Sequence, residues 1–563
     1  MRFGNTKFVH DMLFLASLFL ASLFLVGCGG GGVTKAAAVP AALPAISSMG
    51  TDFYLTLPDH LCISAPASCA NAVVSNKLIV AGPTATTGEV KFNGVVTPFS
   101  IAAGAQTVIT LDPAVVLTAN ETVETKAIHV TALSPISVHV VSENVGSADG
   151  YLALPTSGIG TNYYVMSYTS NRFTGSEFAV AGTQDNTTVT ITPTAAGATK
   201  PAGVAFTVLL NSGETYLFAN PAHADMTGTR VTSDKPVAVF SGHRCANVPA
   251  STGYCDYLVE QLPDVTRWGR THHTSLFSGR SRYTVRVIAS QDGTTFATLP
   301  SGLVGTLNAG QFTEVDLTGA GEFVSNNPVL VAQFMRGYAD DVAGKGDPSM
   351  VLVTPVEQAM TESTFGVHGL AGTPGAFLNI VTETASLASL KLDSLAVDAQ
   401  LFSPVGGVSR YSTGTIPVSP GAHTLQGSGA YSALVYDYGI SWNSVSYAYP
   451  VGGILNLPAP TPVPPPALPP DSCKDKVKKK EKKHSGSGHA GHAELHSGQH
   501  SHQHAHENSH DGAHKHAHEN SHDGTHKHAH ENSHDGAHKH AHQDHGHDDK
   551  QDDGYKCDDK ERQ

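Results

Sequence analysis

Residues 504–515 read HAHENSHDGAHK, 516–527 read HAHENSHDGTHK and 528–539 read HAHENSHDGAHK. This strict twelve-residue period sets imidazoles at His504, His506, His510 and His514, then at His516, His518, His522 and His526, then at His528, His530, His534 and His538. His540 and His542 begin a fourth, partial copy, and acidic residues sit between the histidines throughout. Neutral imidazole is a good ligand for Zn, Cu and Ni, and a flexible chain can gather four around one ion. The pattern points to Zn or Ni binding by the tail, with no cofactor required elsewhere. The competing reading is a solvated spacer whose histidines multiplied by repeat expansion.

What carries this tail decides which metals and partners it can meet. Arg2 and Lys7 precede an apolar run from Leu13 to Val26, which is shorter than the ~20 residues a spanning helix needs. It fits the apolar core of a secretory signal over residues 1–27. Leu25-Val26-Gly27-Cys28 resembles the lipobox of bacterial lipoproteins, which implies cleavage before Cys28 and acylation there. Gly29 is not the aspartate of an inner-membrane retention signal, so the expected address is the outer membrane or cell surface of the cell envelope, reached through a lipid anchor. Residues 28–46 are a Gly/Ala-rich tether.

Six cysteines remain after Cys28, in an oxidising compartment that permits disulfides. Six thiols allow 15 connectivities. Short spacing makes Cys62–Cys69 and Cys245–Cys255 the natural pairs, the alternative for these four being buried or metal-bound thiols although none shows a CxxC spacing, while Cys473 and Cys557 bracket the tail and could close it into a loop.

Residues 47–456 are rich in Val, Thr, Gly, Ala and Ser and poor in helical periodicity. A proline-rich linker (457–472) comes next, then a His-rich segment (473–563) that holds 22 of the 32 histidines and too little apolar surface to fold alone. Two landmarks recur in the long middle region. A strand-like run comes after a proline or glycine in SPISVHVVSEN (134–144), SDKPVAVFSGH (233–243), NNPVLVAQFMRG (326–337) and GAYSALVYDYG (429–439). A glycine turn precedes each, at Gly104, Gly213, Gly310 and Gly421. The expected fold is all-β: four divergent sandwich-like units at about 47–145, 146–245, 246–340 and 341–456, each with strands every 8–12 residues. Periodicity alone leaves open a propeller-like fusion of the four.

Three segments then carry a family likeness. SDKPVAVFSGHRCANVP (233–249), GYCDYLVEQLPDVTRWGR (253–270) and DPSMVLVTPVEQ (347–358) resemble the N-terminal domain of the IgGFc-binding protein family. The resemblance implies an extracellular β-rich binding or adhesive module. It carries no antibody-contacting residues onto this sequence.

Enzyme chemistry lacks a signature. His272 and His273 lie beside Trp268 and Arg270, with Asp256 and Glu260 nearby, but no GxSxG elbow, HExxH helix or phosphate-cradling loop accompanies them. They read as a partly exposed polar step before a strand, turn or edge carboxylates, and a core tryptophan. DNTT (185–188) and QDGT (291–294) read as hairpin turns rather than calcium loops. Nucleic acid is excluded as a partner by a net charge of −14, and by a tail whose 14 basic residues are outnumbered by 17 acidic ones.

Two functions therefore stand. One is a surface-anchored adhesion lipoprotein with a glycan or protein partner; the other is a lipoprotein that sequesters or delivers divalent metal. The tail reading is tested by titration calorimetry on residues 484–547 with three, two and one repeats. Capacity for Zn or Ni should fall in proportion to repeat number with affinity nearly constant, and affinity should drop steeply below pH ~6.5 as imidazoles protonate. Loss of all binding with one repeat removed would mean a single specific site instead.

Overall fold

The computed structural model describes residues 46–455, apart from 342–343, 374, 408–409 and 440–444. The lipidation site Cys28, the linker, Cys473, Cys557 and every tail histidine lie outside the described residues. Those described belong to one compact unit built almost wholly of antiparallel strands. Among them no helix is long and apolar enough to cross a membrane.

Each of four sheets is organised around one long strand: Ile128–Glu143, Arg230–Ala246, Gly321–Met335 and Gly421–Tyr438. These spines serve two half-sheets in turn. In the first, Val130 faces Val90 and Val138 faces Val80, with Pro135 between the two stretches. Pro236 and Pro328 stand at the same switch in the second and third, between Ser233 and Val237 and between Ser325 and Val329. A proline has no N–H to give a ladder, so it fits where pairing passes from one half-sheet to the other. The fourth spine uses Gly429 there, between Gln426 and Tyr431.

Gly104, Gly213 and Gly310 occupy tight turns with φ of 67°, 84° and 76°, a region that glycine enters without steric penalty. Gly421 differs from the expected role. It opens the fourth spine, and the corresponding turn, before the strand Tyr411–Val418, is made by Gly406 and Gly407. The first three sheets also run past the limits read from the repeats, whereas the fourth closes within its own. After the spine the chain turns back and adds an inner strand to it: Ala148–Leu152, Asp256–Leu262, Ser349–Leu352 and Ser446–Pro450.

The inner strands bring the four sheets together. Each pairs with its own spine along one edge, which leaves buried amides on the other edge that need acceptors. Side chains of neighbouring inner strands supply them. Asp149 accepts from Val259 N and Met350 N, both at 3.1 Å, and from Ser349 Oγ at 3.2 Å. Asp256 accepts from Ala148 N at 2.7 Å, Glu260 from Leu352 N at 3.0 Å, and Gln261 from Leu154 N at 2.9 Å. Ser446 Oγ accepts from Asp347 N at 2.7 Å.

The apolar cores run along the same circuit. First-sheet residues such as Val138 pack with Phe240 and Tyr257 of the second; Phe178 and Leu258 of the second pack with Phe334 and Met350 of the third. Third-sheet residues join Tyr436 and Ala448 of the fourth, and fourth-sheet residues join Ile79 and Val141 of the first. The circuit is sealed where the described chain begins and ends: Leu455 N donates to Ile46 O at 2.6 Å and Ser48 N to Gly453 O at 2.9 Å. The sandwich-like units are thus fused in a closed ring of four.

Burial raises the carboxyls at the centre. Asp149, Asp256 and Glu260 are held well above the usual carboxylate range, and Asp347 is pushed up to about 7, chiefly by removal from water. A carboxyl with a raised folded pKa stabilises the fold fully when protonated below pH ~4, and that contribution is lost as pH rises through about 7. Asp347→Asn, a neutral isostere, should therefore raise Tm relative to the native protein at pH 8 and lose that advantage at pH 4.5, as read by scanning calorimetry. Asp149→Ala orphans several buried donors and should destabilise by about 3 kcal/mol at either pH. A pH-independent Asp347→Asn difference would contradict the assignment.

Candidate functional site

The strand Gly269–Thr274 pairs with the third spine, placing His272 opposite Phe323 and His273 opposite Glu322. Strand alternation sends the two imidazoles to opposite faces. The sequence predicts a partly exposed step for this pair; both are in fact buried within the strand. Burial pushes His272 down to about 3, with His273 beside it adding to the shift, so it is neutral in the folded protein. Asp256 and Glu260, expected as turn or edge carboxylates, are interior residues of an inner strand. Their signal lay in the sequence: acidic residues within the apolar run DYLVEQL need buried partners. Trp268 is core, as expected, with its indole N–H donating to Pro263 O at 3.1 Å.

His273 faces the seam between the third and fourth sheets. Its Nε2 lies 3.2 Å from Glu322 Oε2 and its ring centroid 4.4 Å from that of Tyr411. The two rings border a cleft of about 150 Å³ whose wall includes Val356, Val381 and Tyr431. Arg410 crosses the rim with its guanidinium 5.0 Å from the Tyr411 ring centroid, and donates to Glu383 Oε1 at 2.7 Å and to Tyr411 Oη at 3.0 Å. This is a cleft with aromatic and apolar walls and a charged rim, suited to gripping a protruding group of a partner.

Ser275 and Ser432 are near the cleft, yet among the described residues no hydrogen bond joins either to His273. Ser275 Oγ instead accepts from Asn379 Nδ2 at 2.8 Å across the seam. Among the described residues no group of three or more His, Cys, Asp or Glu is placed to hold a metal ion.

Cys62–Cys69 and Cys245–Cys255 are disulfide-bonded. A relation that sequence reasoning missed links them. His60 Nδ1 accepts from Cys62 N at 3.1 Å, and His243 Nδ1 accepts from Cys245 N at 2.9 Å. Both histidines are buried, and burial pushes both down to about 3. The shared His-x-Cys spacing was the available signal. The second disulfide also ties down the loop that presents Tyr254, a half-exposed residue at φ 62° stacked edge-on against Tyr338.

The family model described as IgGFc binding protein matches residues 149–436, from the inner strand of the first sheet to near the end of the fourth spine, with the cleft between them. An IgGFc-binding protein of Homo sapiens is 29% identical over 277 residues, which is 47% of this chain but 5% of that protein, so the chain spans a small part of its relative. A solved structure of a Ca2+-stabilised adhesin, by which an Antarctic bacterium reaches out and binds ice, aligns with 72% of this chain and 99% of its own. The identity is 11% and the TM-score 0.10, too slight to bear on fold or function.

Side chains on either side of the third sheet should separate by burial, Trp268 in the core shared with the second sheet and Arg410 at the cleft rim. Trp268→Ala should destabilise by about 3–5 kcal/mol because it empties a core site. Arg410→Ala removes an exposed ion pair and should cost less than about 1 kcal/mol. Urea unfolding of the two variants decides this, and a comparable loss for both would mean that Arg410 holds the seam.

Proposed function

Because the chain belongs to the IgGFc-binding protein family, we propose that it is a binding or adhesion module that holds an extracellular protein partner without chemical turnover. The observation that carries this reading is the family match over residues 149–436, which spans the second and third sheets and most of the fourth and includes the rim-charged cleft. The lipobox-like stretch supports an address on the cell envelope, at the outer membrane or surface, through a lipid on Cys28. The His-rich tail then adds a Zn- or Ni-binding segment to the anchored ring.

A second reading, metal sequestration or delivery with the ring as scaffold, is favoured by the twelve-residue period of the tail. The two separate in one experiment. Cells displaying the full chain, or a chain ended after Pro470, are probed with arrays of extracellular proteins and glycans. Protein binding that survives the truncation supports adhesion. Binding only to glycans would replace the partner class. A truncation phenotype confined to growth in scarce or excess Zn or Ni would favour the metal reading. Cys28→Ser should release the protein from cells or leave it with its signal segment, and detergent-dependent retention of correctly processed Cys28→Ser protein would overturn the anchor.

A further inference from the structure

The second sheet contains a strand that it does not own. Val123 and Glu124 come from the stretch between the first sheet's last edge strand and its spine, yet they pair with Tyr216 and Thr215 on the edge strand Thr215–Ala219. Just before them Asn120 bridges to Leu217, and Glu121 N donates to Leu217 O at 2.8 Å. The Asn120 side chain copies a strand residue: its Oδ1 accepts from Ala219 N at 2.8 Å and its Nδ2 donates to Ala219 O at 3.1 Å. Residues 120–124 thus cap an otherwise open edge. In the fourth sheet the edge strand Tyr411–Val418 is capped by Phe402–Pro404.

Among the described residues the first sheet has the same edge without such a strand. Its edge strand Ala105–Thr110 comes after the Gly104 turn as Thr215–Ala219 comes after Gly213. Counted from those turns, Val108 corresponds to Leu217 and Thr110 to Ala219. Ladder positions agree, since Thr110 faces Lys77 as Ala219 faces Glu177 on the neighbouring strand. Leu111 N donates inward to Asn76 O at 2.8 Å, so strand alternation turns the amides of Thr110 and Val108 outward. Among the described residues that outer edge meets the opposite edge strand, Val95–Ile101, through Thr107 Oγ donating to Ser100 O at 2.8 Å.

Beyond that contact the two edges diverge around a cavity of about 120 Å³ lined by Val90, Phe92, Val95, Thr97 and Ile109. Val95 is 65% exposed and Val108 45% exposed. The connections at this end of the two sheets also differ in length. The strands Thr86–Phe92 and Val95–Ile101 are joined by the two-residue turn Asn93-Gly94, whereas in the second sheet a longer connection, 193–205, reaches back so that Thr199 N donates to Glu121 Oε1 at 3.0 Å.

We propose that this wedge in the first sheet is a strand-addition site for an extended segment of a protein partner. Backbone groups of Val108 and Thr110 would receive the segment as Leu217 and Ala219 receive residues 120–124, and the cavity would take one apolar side chain. Main-chain pairing supplies affinity in this mode and the side-chain pocket supplies selectivity. The site rests on the adhesion reading and deepens it by giving the partner a chemistry: an extended peptide with an amide side chain near an apolar residue.

The test uses the full chain and, as probe, a labelled peptide of residues 117–126, LTANETVETK. Saturable binding in fluorescence polarisation should be accompanied by slowed amide exchange at 108–112. Thr110→Pro removes the outward amide and should weaken binding about tenfold or more, the worth of one lost hydrogen bond. Val95→Asp alters the exposed cavity wall without touching the core and should weaken binding as well, which guards against a Thr110→Pro chain that does not fold. Peptide binding that leaves exchange at 108–112 unchanged, or absence of peptide binding, overturns the site. If a protein partner found on arrays binds Thr110→Pro and Val95→Asp as well as the native chain, the adhesion reading stands and the strand-addition site falls. Site-directed peptide binding with no protein partner on the arrays would keep the site and remove the adhesion reading.

Discussion

The ring depends on how four buried strand edges are satisfied. An inner strand at the centre has no further strand to pair with, and a buried amide without an acceptor costs about 1–3 kcal/mol. Asp149, Asp256, Glu260 and Gln261 meet that demand by reaching across to a neighbour's backbone. Asp149 joins inner strands from the first, second and third sheets, and Asp256 joins those from the first, second and fourth. Each carboxyl answers a donor on another sheet, so no one sheet can leave without orphaning groups on the rest. The same burial that makes these bonds strong makes charge expensive there, which is why the carboxyls are held toward the neutral form.

Packing reinforces this coupling. Each apolar core extends across a seam into the next sheet, and the last returns to the first. The seams are also bolted by polar groups. Arg286 of the third sheet pairs with Asp225 of the second at 2.7 Å while stacking 3.9 Å from the Tyr168 ring. His368 of the fourth pairs with Glu143 of the first at 2.8 Å. The cleft at His273 and Tyr411 lies on one of these seams, where walls from two sheets meet.

Much of the architecture was readable from local signals. Pro135, Pro236 and Pro328 mark the points where each spine changes partners, and Gly104, Gly213 and Gly310 mark turns, because backbone geometry at such positions is decided within a few residues. What escaped was non-local. The repeats stop at the spine, so the inner strands of the first three sheets fell beyond the boundaries read for them, while that of the fourth lay within. His272, His273, Asp256 and Glu260 read as surface because polarity usually means exposure, whereas here the ring supplies buried partners. Nothing in NETVE announces that Val123 and Glu124 pair with a neighbouring sheet; only the missing strand at Thr215–Ala219 explains them. Gly421 shared a sequence context with the turn glycines but not their place.

The meeting of Ile46 with Leu455 has a mechanical meaning. Both ends of the ring leave from one spot, beside Arg267, whose Nη1 holds Leu455 O at 2.9 Å. Tension applied between residue 46 and residue 455 reaches this seal first, and its bonds are loaded one after another before the sheets are. Pull exerted by a body held at a distant seam travels to the same spot through the ladders of several sheets, which share the load in shear. The same ring therefore takes up one line of traction bond by bond and the other across several ladders at once.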